Sequence, residues 1–155
     1  MNDTSTEFDI RFSIRTEQLN EMFYNRVDTL MTIAQMFLGS AIFAGVGFSV
    51  LAGALVSLLS IITFTVKPTL KAVQSGNQAK RYTALLNPDL NEKEKREQFY
   101  RIQELDNQPL LSFYNIAFIR AGMEMGLDVS NKTLSRFELF MARFVGERLK
   151  RTGNE

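Results

Sequence analysis

Apolar residues along this chain are concentrated in one uninterrupted stretch. No residue from Thr29 to Val66 is charged, whereas charged side chains are frequent up to Asp28 and again from Lys67 onward. A helix needs about 20 mostly apolar residues to cross the hydrocarbon core of a bilayer, with a lower limit near 17. The stretch therefore has the length of roughly two minimal spans, and it predicts an integral membrane protein.

Two helices joined by a tight turn suit this stretch better than one long helix. Gly45-Val46-Gly47 is the best candidate for the turn, and Gly53 is the second. A single long helix would leave apolar surface in water, which is unfavourable in proportion to its area. The sequence thus predicts a transmembrane hairpin, with a single long helix and a re-entrant hairpin as alternatives.

Basic residues flank the apolar stretch on both sides. Arg26 precedes it, and four basic residues follow it before the next acidic residue, Asp89: Lys67, Lys71, Lys80 and Arg81. Flanks rich in Lys and Arg stay in the cytoplasm, so we expect both termini there and an even number of spans. The four residues are candidates for contact with anionic headgroups, or they act only as a topology signal.

The segment before the stretch carries two patterns. Apolar and polar residues alternate strictly from Phe8 to Ile14, which is typical of a strand. Residues 1–15 are therefore predicted to be an N-terminal arm with a short strand, extended or paired with a neighbouring subunit. Thr16 is a candidate helix cap. The apolar stripe that follows predicts an amphipathic helix continuous with the first span: Leu19, Met22, Phe23, Val27 and Leu30.

Two polar helices are predicted after the stretch. The first follows Lys67-Pro68 and continues through Leu86, and Asn87-Pro88-Asp89 ends it. Asn91 and Glu94 form the pattern of a capping box at the start of the second. This charged helix continues to about Leu105 and is followed by a break at residues 106–109.

Two more apolar helices complete the chain. The first covers Leu111 to Met125 and ends at Gly126, a good C-cap residue. Ser130 is the candidate cap of the second, whose apolar stripe contains Leu134, Phe137, Met141, Phe144, Val145 and Leu149. These stripes are most simply the core of a small helical module, with a membrane-proximal or subunit-facing surface as the alternative.

These elements together predict an all-α membrane protein. The amphipathic helix, the transmembrane hairpin and the basic exit helix occupy residues 16–86, and a small C-terminal cytoplasmic helical module occupies residues 87–155. The bilayer is the expected partner, and the chain is expected to cross it more than once.

The composition argues against several classes of function. The chain of 155 residues has no Cys, no His and a net charge of +1. Without Cys and His it lacks thiolate nucleophiles, the commonest metal ligands and the commonest general base. Its charge provides no basic field toward nucleic acid. We therefore expect that the protein is not an enzyme and that it has no cofactor, no catalytic or metal-binding residue and no nucleic-acid partner. An enzyme that uses carboxylates, Lys, Tyr or Ser is the distant alternative.

Small residues recur every four positions through the stretch: Ala41, Gly45, Ser49, Gly53 and Ser57. Such spacing lets helices approach closely in lipid. It predicts a tightly packed hairpin or the association of several copies, although small residues are common in membrane helices. Gln35 is the most costly polar side chain of the stretch to bury, and it is the best candidate for an inter-helix contact or a pore lining.

Two short segments, together with the amphipathic helix and the close-set hairpin, point to a family. The first segment is Ala79-Lys80-Arg81-Tyr82-Thr83-Ala84-Leu85. The second is Gln108-Pro109-Leu110-Leu111-Ser112-Phe113-Tyr114-Asn115-Ile116-Ala117, leading to Met123-Glu124-Met125-Gly126. Over residues 16–126 the chain resembles the SLATT family, two-transmembrane effector domains associated with SMODS and SLOG systems of bacterial conflict.

The resemblance implies a helical membrane effector that oligomerises and forms a pore or disrupts the inner membrane in anti-phage defence. It implies no catalytic residues. No nucleotide-binding domain is recognisable in the sequence, so a separate sensor protein or the final helices would receive the signal. The alternative function is a membrane anchor or scaffold whose soluble helices recruit a partner protein.

Overall fold

The computed structural model describes residues 3–44, 47, 49–104 and 110–149. Most of these residues are in helices, with no strand among them, and the predicted all-helical class is confirmed. The helices are α1 (Asp3–Phe43), α2 (Ser49–Val66), α3 (Pro68–Ala84), α4 (Glu92–Gln103), α5 (Tyr114–Glu124) and α6 (Arg136–Phe144), with a 3-10 turn at Leu111–Phe113 before α5.

The first helix corrects the predicted N-terminal arm. α1 has 41 residues, and the strand predicted at Phe8–Ile14 is wrong because these residues are helical. Thr16 does not cap a helix either; it lies within α1, where its hydroxyl donates a hydrogen bond to the carbonyl oxygen of Phe12 at 2.9 Å. The predicted continuity between the amphipathic helix and the first apolar segment is confirmed.

The alternation at the start of α1 has a helical explanation. Two residues advance a helix by about 200°, so alternate side chains point to opposite sides. On one side the ring centroids of Phe8 and Phe118 of α5 lie 5.1 Å apart. On the other side Ile10 joins a buried cluster with Tyr82 of α3 and Phe99 of α4. A helix covered on two sides therefore shows the same period of two as a strand.

The helices α2 and α3 return along α1 in the antiparallel direction. The Thr63 hydroxyl of α2 lies 3.5 Å from the sulfur of Met31. Further along, the Lys71 ammonium of α3 lies 5.3 Å from the ring centroid of Tyr24. Because residue numbers fall along α1 as they rise along α2 and α3, one antiparallel pairing extends over both helices.

Lys67 forms the joint between α2 and α3. Its backbone is left-handed, with φ 50° and ψ 56°, which is uncommon for a residue with a side chain. Pro68 follows, lacks an N–H and disfavours the right-handed helical conformation in the residue before it. Pro68 then starts α3 at a position where a missing N–H costs nothing. The predicted polar exit helix is confirmed.

The break between α1 and α2 falls where the sequence predicts a turn. α1 ends at Phe43 and α2 begins at Ser49. Gly45 and Val46 of the predicted turn lie outside the described residues. The second candidate for the turn, Gly53, lies within α2.

Two apolar cores lie on either side of the first half of α1. One contains Ile10 and Ile14 with Tyr82, Leu85 and Phe99. The other joins Leu19 to the C-terminal helices through Phe113, Ile116, Ala117, Ile119, Val129, Leu134, Met141, Ala142 and Val145. In the described part of the chain, the C-terminal helices therefore share their core with α1.

The helix ends confirm one predicted cap and correct another. Asn91 and Glu94 form the predicted capping box of α4. The prediction that Ser130 caps the last helix is wrong, because α6 begins at Arg136 with a capping box between Ser135 and Glu138. The apolar stripe had suggested an earlier start because Leu134 is buried before the helix begins. The predicted break at residues 106–109 lies outside the described residues.

Candidate membrane surface and helix-packing site

An uncovered apolar surface surrounds the paired parts of α1 and α2. The apolar belt, as we call it, consists of side chains that are 41–94% exposed: Leu30, Ile33, Met36, Phe37, Phe43, Val50, Leu51, Leu55, Leu58, Ile61 and Phe64. Soluble monomers rarely expose contiguous apolar patches above a few hundred Å². Such a surface requires a cover that is not water.

One helix among the described residues is long and apolar enough, by length and composition, to cross a bilayer. It is the stretch Ser49–Ala84, taken across the joint at Lys67, with a mean hydropathy of 2.2 in its most apolar window. Only 6% of that window is buried. The core helix of a soluble protein passes the same test but is mostly buried, so α2 differs from such a helix.

Two of the predicted packing residues lie between α1 and α2. The Gln35 amide nitrogen donates a hydrogen bond to the Ser60 hydroxyl at 3.3 Å. A methyl group added to Gly53 would lie 4.0 Å from Cδ1 of Ile42, which is ordinary van der Waals contact. Both residues therefore face the other helix of the same chain.

The remaining small residues differ in their exposure. Ala41 and Ser49 are half-buried, whereas Ser57 is exposed. The Ser57 hydroxyl donates to the carbonyl oxygen of Gly53 at 3.0 Å, as Ser commonly does inside helices. Gly45 lies outside the described residues. On α2 the predicted stripe therefore lies along the edge of the contact with α1, half-buried at Ser49 and Gly53 and exposed at Ser57.

Other hydroxyl groups within the belt also bond to their own helix. Ser40 donates to Met36, and Thr63 donates to Leu59, each through the backbone carbonyl oxygen. Ser60 donates to the carbonyl oxygen of Val56 while it accepts from the Gln35 amide. The hydroxyl groups of Ser40, Ser57, Ser60 and Thr63 thus have partners inside the chain.

The four predicted basic residues separate into two pairs. Lys67 lies at the end of α2, with its ammonium 5.8 Å from the ring centroid of Phe64, and Lys71 lies one turn later. Lys80 and Arg81 are exposed, but they lie about 14 Å or more beyond Lys71 along α3, at 1.5 Å per residue. That separation exceeds the Debye length of about 8 Å at physiological salt, so the four residues do not form one basic patch.

Sequence reasoning missed a group of buried polar residues on α1 and α3. This polar seam consists of Glu17, Asn20, Ser75 and Gln78, none more than 5% exposed. The Gln78 amide nitrogen donates to the carbonyl oxygen of Ile102 at 2.9 Å. The Asn20 side-chain oxygen and the Ser75 hydroxyl have no hydrogen-bond partner among the described residues. The packing of α3 against α1 therefore buries polar as well as apolar side chains.

A sequence signal for this contact does exist. Small residues recur at spacings of three and four along α3, and each is buried: Ala72, Ser75, Gly76 and Ala79. A methyl group added to Gly76 would lie 2.7 Å from the Glu21 carboxylate. The close helix contact predicted for the apolar stretch is thus also present in the polar exit helix.

A small cavity lies between the start of α1 and the start of α4. Its volume is about 170 Å³, and its charged lining residues are Glu7, Arg11, Glu92 and Lys95. Arg11 pairs with Glu7 at 2.7 Å, and Lys95 lies 3.8 Å from Glu92. Ligand pockets usually measure about 300–1,000 Å³, so the cavity is smaller than a nucleotide site.

No protein-family model, curated protein or solved structure matches this chain. The class of this protein is therefore inferred from its fold and its apolar belt alone. Over its described residues it is a helical protein with one candidate membrane-spanning helix.

Proposed function

We propose that this chain is a multi-pass protein of the bacterial inner membrane, with α1 from Thr29 onward and α2 crossing the bilayer as a hairpin. The apolar belt carries the proposal, because it continues over both helices. At 1.5 Å per residue α2 spans about 27 Å, close to the hydrocarbon thickness of about 30 Å. The charge-free part of α1 spans about 22 Å, a mismatch that local thinning of the bilayer accommodates.

The orientation follows from the charges at one end of the hairpin. The open end of the hairpin, where its two helices continue into the polar part of the chain, carries basic residues on both sides. Arg26 lies there on α1, and Lys67 and Lys71 follow α2. Basic flanks remain on the cytoplasmic side. Both termini and the helices α3 to α6 are therefore cytoplasmic.

Within that membrane the chain acts as an effector that oligomerises and forms a pore or disrupts the bilayer in anti-phage defence. The resemblance to the SLATT family supports this function. Two helices cannot enclose a channel by themselves, and the hydroxyl groups of Ser40, Ser57 and Thr63 bond to their own helices. Conduction therefore requires several copies, which meet on outward surfaces. Ser57 is exposed on α2, and a methyl group added to Gly39 of α1 would meet nothing within 4 Å.

A second candidate function is a membrane anchor whose soluble helices recruit a partner protein. The hydrogen bond between Gln35 and Ser60 favours it, because the most polar side chain of the belt region has its partner within one chain. Because Gln35 already has a hydrogen-bond partner in its own chain, it does not require a second copy of the protein to supply one. In both functions a partner protein would bind the soluble helices α3 to α6: the sensor in the case of an effector, the recruited protein in the case of an anchor.

Membrane potential distinguishes the two functions. We expect bacteria expressing the intact chain to lose the signal of a voltage-sensitive dye. Gly53→Leu places bulk against Ile42 of α1, whereas Ser57→Leu adds bulk at an exposed position one turn further along α2, and both should abolish the depolarisation. Gly53→Ala is the matched control and should depolarise like the intact chain, since there is room for its methyl group beside Ile42.

The anchor predicts a different result. With equal amounts of each variant in the membrane fraction, none of them, including the intact chain, would then change the dye signal. A Ser57→Leu chain that depolarises fully would show that copies do not meet through this side of α2.

A further inference from the structure

The last helix has a second face that the core does not use. Met141 and Ala142 of α6 are buried against the rest of the chain. The opposite side, here called the aromatic-basic face, contains Arg136, Phe137, Phe140 and Arg143. Phe137 is 62% exposed and Phe140 is 60% exposed, and both arginines are exposed. Spacings of three and four residues place these side chains together on the helix surface.

The end of α6 is held beside the start of the apolar stretch. The Arg26 guanidinium of α1 donates a hydrogen bond to the carbonyl oxygen of Phe144. The ring centroids of Phe23 and Phe144 lie 5.7 Å apart. Arg26 precedes Thr29, the first residue of the charge-free stretch, by about 5 Å along the helix. The C-terminal end of α6 is therefore level with the edge of the apolar belt.

The charge of this face is basic and is not neutralised within the described residues. Arg136 and Arg143 form no salt bridge there, whereas Arg120 of α5 pairs with Glu147. The acidic residue of α6, Glu138, turns away from the face and accepts a hydrogen bond from the Asn115 amide at 2.7 Å. Exposed aromatic rings beside arginines are the composition of helices that lie in membrane interfaces.

We propose that the aromatic-basic face of α6 lies in the headgroup region of the bilayer that holds the hairpin. Phe137 and Phe140 reach the acyl boundary, and Arg136 and Arg143 contact anionic headgroups, which attract basic side chains near the surface. The inference rests on the proposed insertion of α1 and α2. An anionic lipid surface suits this face better than a protein partner, because α6 ends beside the start of the apolar stretch and no salt bridge among the described residues neutralises the arginines of the face.

Fluorescence quenching in vesicles tests the position of the face. The chain has no Cys, so a single introduced cysteine carries an environment-sensitive dye at one site. Phe140→Cys reports on the face and Phe37→Cys on the belt. Tyr100→Cys on α4 is the control, since Tyr100 is 57% exposed and its helix packs near Ile10, about 28 Å along α1 from Thr29.

Each full-length variant is reconstituted in phosphatidylcholine vesicles with and without phosphatidylglycerol. We expect nitroxide-labelled lipids to quench the dye at Phe37→Cys in both. They should quench the dye at Phe140→Cys most strongly with phosphatidylglycerol present. Acrylamide in the water should quench the dye at Tyr100→Cys, and the lipid quencher should not.

The charges are tested by a double substitution. Arg136→Gln with Arg143→Gln should reduce lipid quenching at Phe140→Cys to the value of the Tyr100→Cys control. Lys93→Gln with Arg101→Gln removes the same charge from α4 and should leave that quenching unchanged. All four side chains are exposed, and an unchanged melting temperature in detergent verifies that each variant folds.

The outcomes separate this inference from the proposed function. Lipid quenching at Phe37→Cys but not at Phe140→Cys would overturn the position of α6 and leave the hairpin standing. A dye at Phe140→Cys that is protected from both quenchers would mean that protein covers the face, which also overturns the inference. Absence of lipid quenching at Phe37→Cys would reject the inserted hairpin, and the inference with it.

Discussion

Two helical glycines differ in the neighbour that an added methyl group would meet. At Gly122 of α5 the methyl would come within 3.0 Å of Cγ1 of Val129, a branched side chain in the buried core. At Gly76 of α3 it would lie 2.7 Å from the Glu21 carboxylate, which is the end of a flexible side chain. Only the first neighbour cannot move aside.

Gly122→Ala should therefore destabilise the protein by about 1–3 kcal/mol, because crowding a packed core outweighs the helix propensity of Ala. Gly76→Ala, the matched control, should stay within about 1 kcal/mol of the parent chain, since Glu21 can rotate away. Thermal unfolding in detergent, followed by circular dichroism, measures both. Equal melting temperatures for the two variants would contradict the assignment of Val129 as an immovable neighbour.

At the level of single elements, hydrogen bonds at the start of α6 determine where that helix begins. Ser135 and Glu138 bond each other's backbone N–H groups. Burial raises the pKa of the Glu138 carboxyl, but hydrogen bonds from Ser135 and Asn115 outweigh it and lower the pKa below the ordinary 4.5. Ser130 belongs to a separate turn, in which its hydroxyl and backbone N–H lower the pKa of Asp128.

Ser135→Ala should cost about 1 kcal/mol, the usual loss when a helix cap is removed. Ser130→Ala is the control and should cost less, because Ser130 caps no helix in the structure. Urea unfolding of the two variants at neutral pH provides the comparison. A larger loss for Ser130→Ala would place the cap at the residue that the sequence pattern first suggested.

The same capping box predicts a pH dependence. A carboxyl group whose pKa is lowered by folding stabilises the fold fully above its unfolded pKa and loses this effect as the pH falls through the folded pKa. The difference in stability between the parent chain and Ser135→Ala should therefore narrow as the pH falls below 4.5, the ordinary value for Glu138. A difference that stays constant into acid would show that the carboxylate does not contribute.

For the molecule as a whole, α1 connects the parts. Its first half lies between two cores, and its second half pairs with α2. Phe23 links this helix to the C-terminal elements, with its ring centroid 5.8 Å from that of Phe113 and 5.7 Å from that of Phe144. Removing that ring should loosen α5 and α6 while the helix pairing of α1 remains.

Phe23→Ala should destabilise the protein by about 2–4 kcal/mol, somewhat less than the loss of a fully buried ring. Leu111→Ala is the control and should have little effect, because Leu111 is 86% exposed. Limited trypsin digestion in detergent should cut Phe23→Ala faster after the arginines of α6. Digestion rates equal to those of the control would mean that α5 and α6 do not depend on this ring.

The candidate site was predictable in kind but not in arrangement. The cost of burying an amide marked Gln35 as a helix-contact residue, but only the pairing of α1 with α2 shows that Ser60 accepts its hydrogen bond. Spacing placed Gly53 and Ser57 on one stripe of α2, and the structure adds that Gly53 is half-buried beside Ile42 whereas Ser57 is exposed. The polar seam was missed, because burial of Asn20 and Ser75 depends on α3 packing along α1.

The sequence by itself determined the features that depend on neighbouring residues: the limits of the apolar stretch, the helix break at Pro68 and the capping box at Asn91. These need only local sterics, short hydrogen bonds or the absence of charge. Tertiary structure alone decided the state of Phe8–Ile14, because a period of two fits either a strand or a helix covered on two sides. It also decided which helices share a core, since apolar stripes attract one another without direction, and only the packed fold selects their partners.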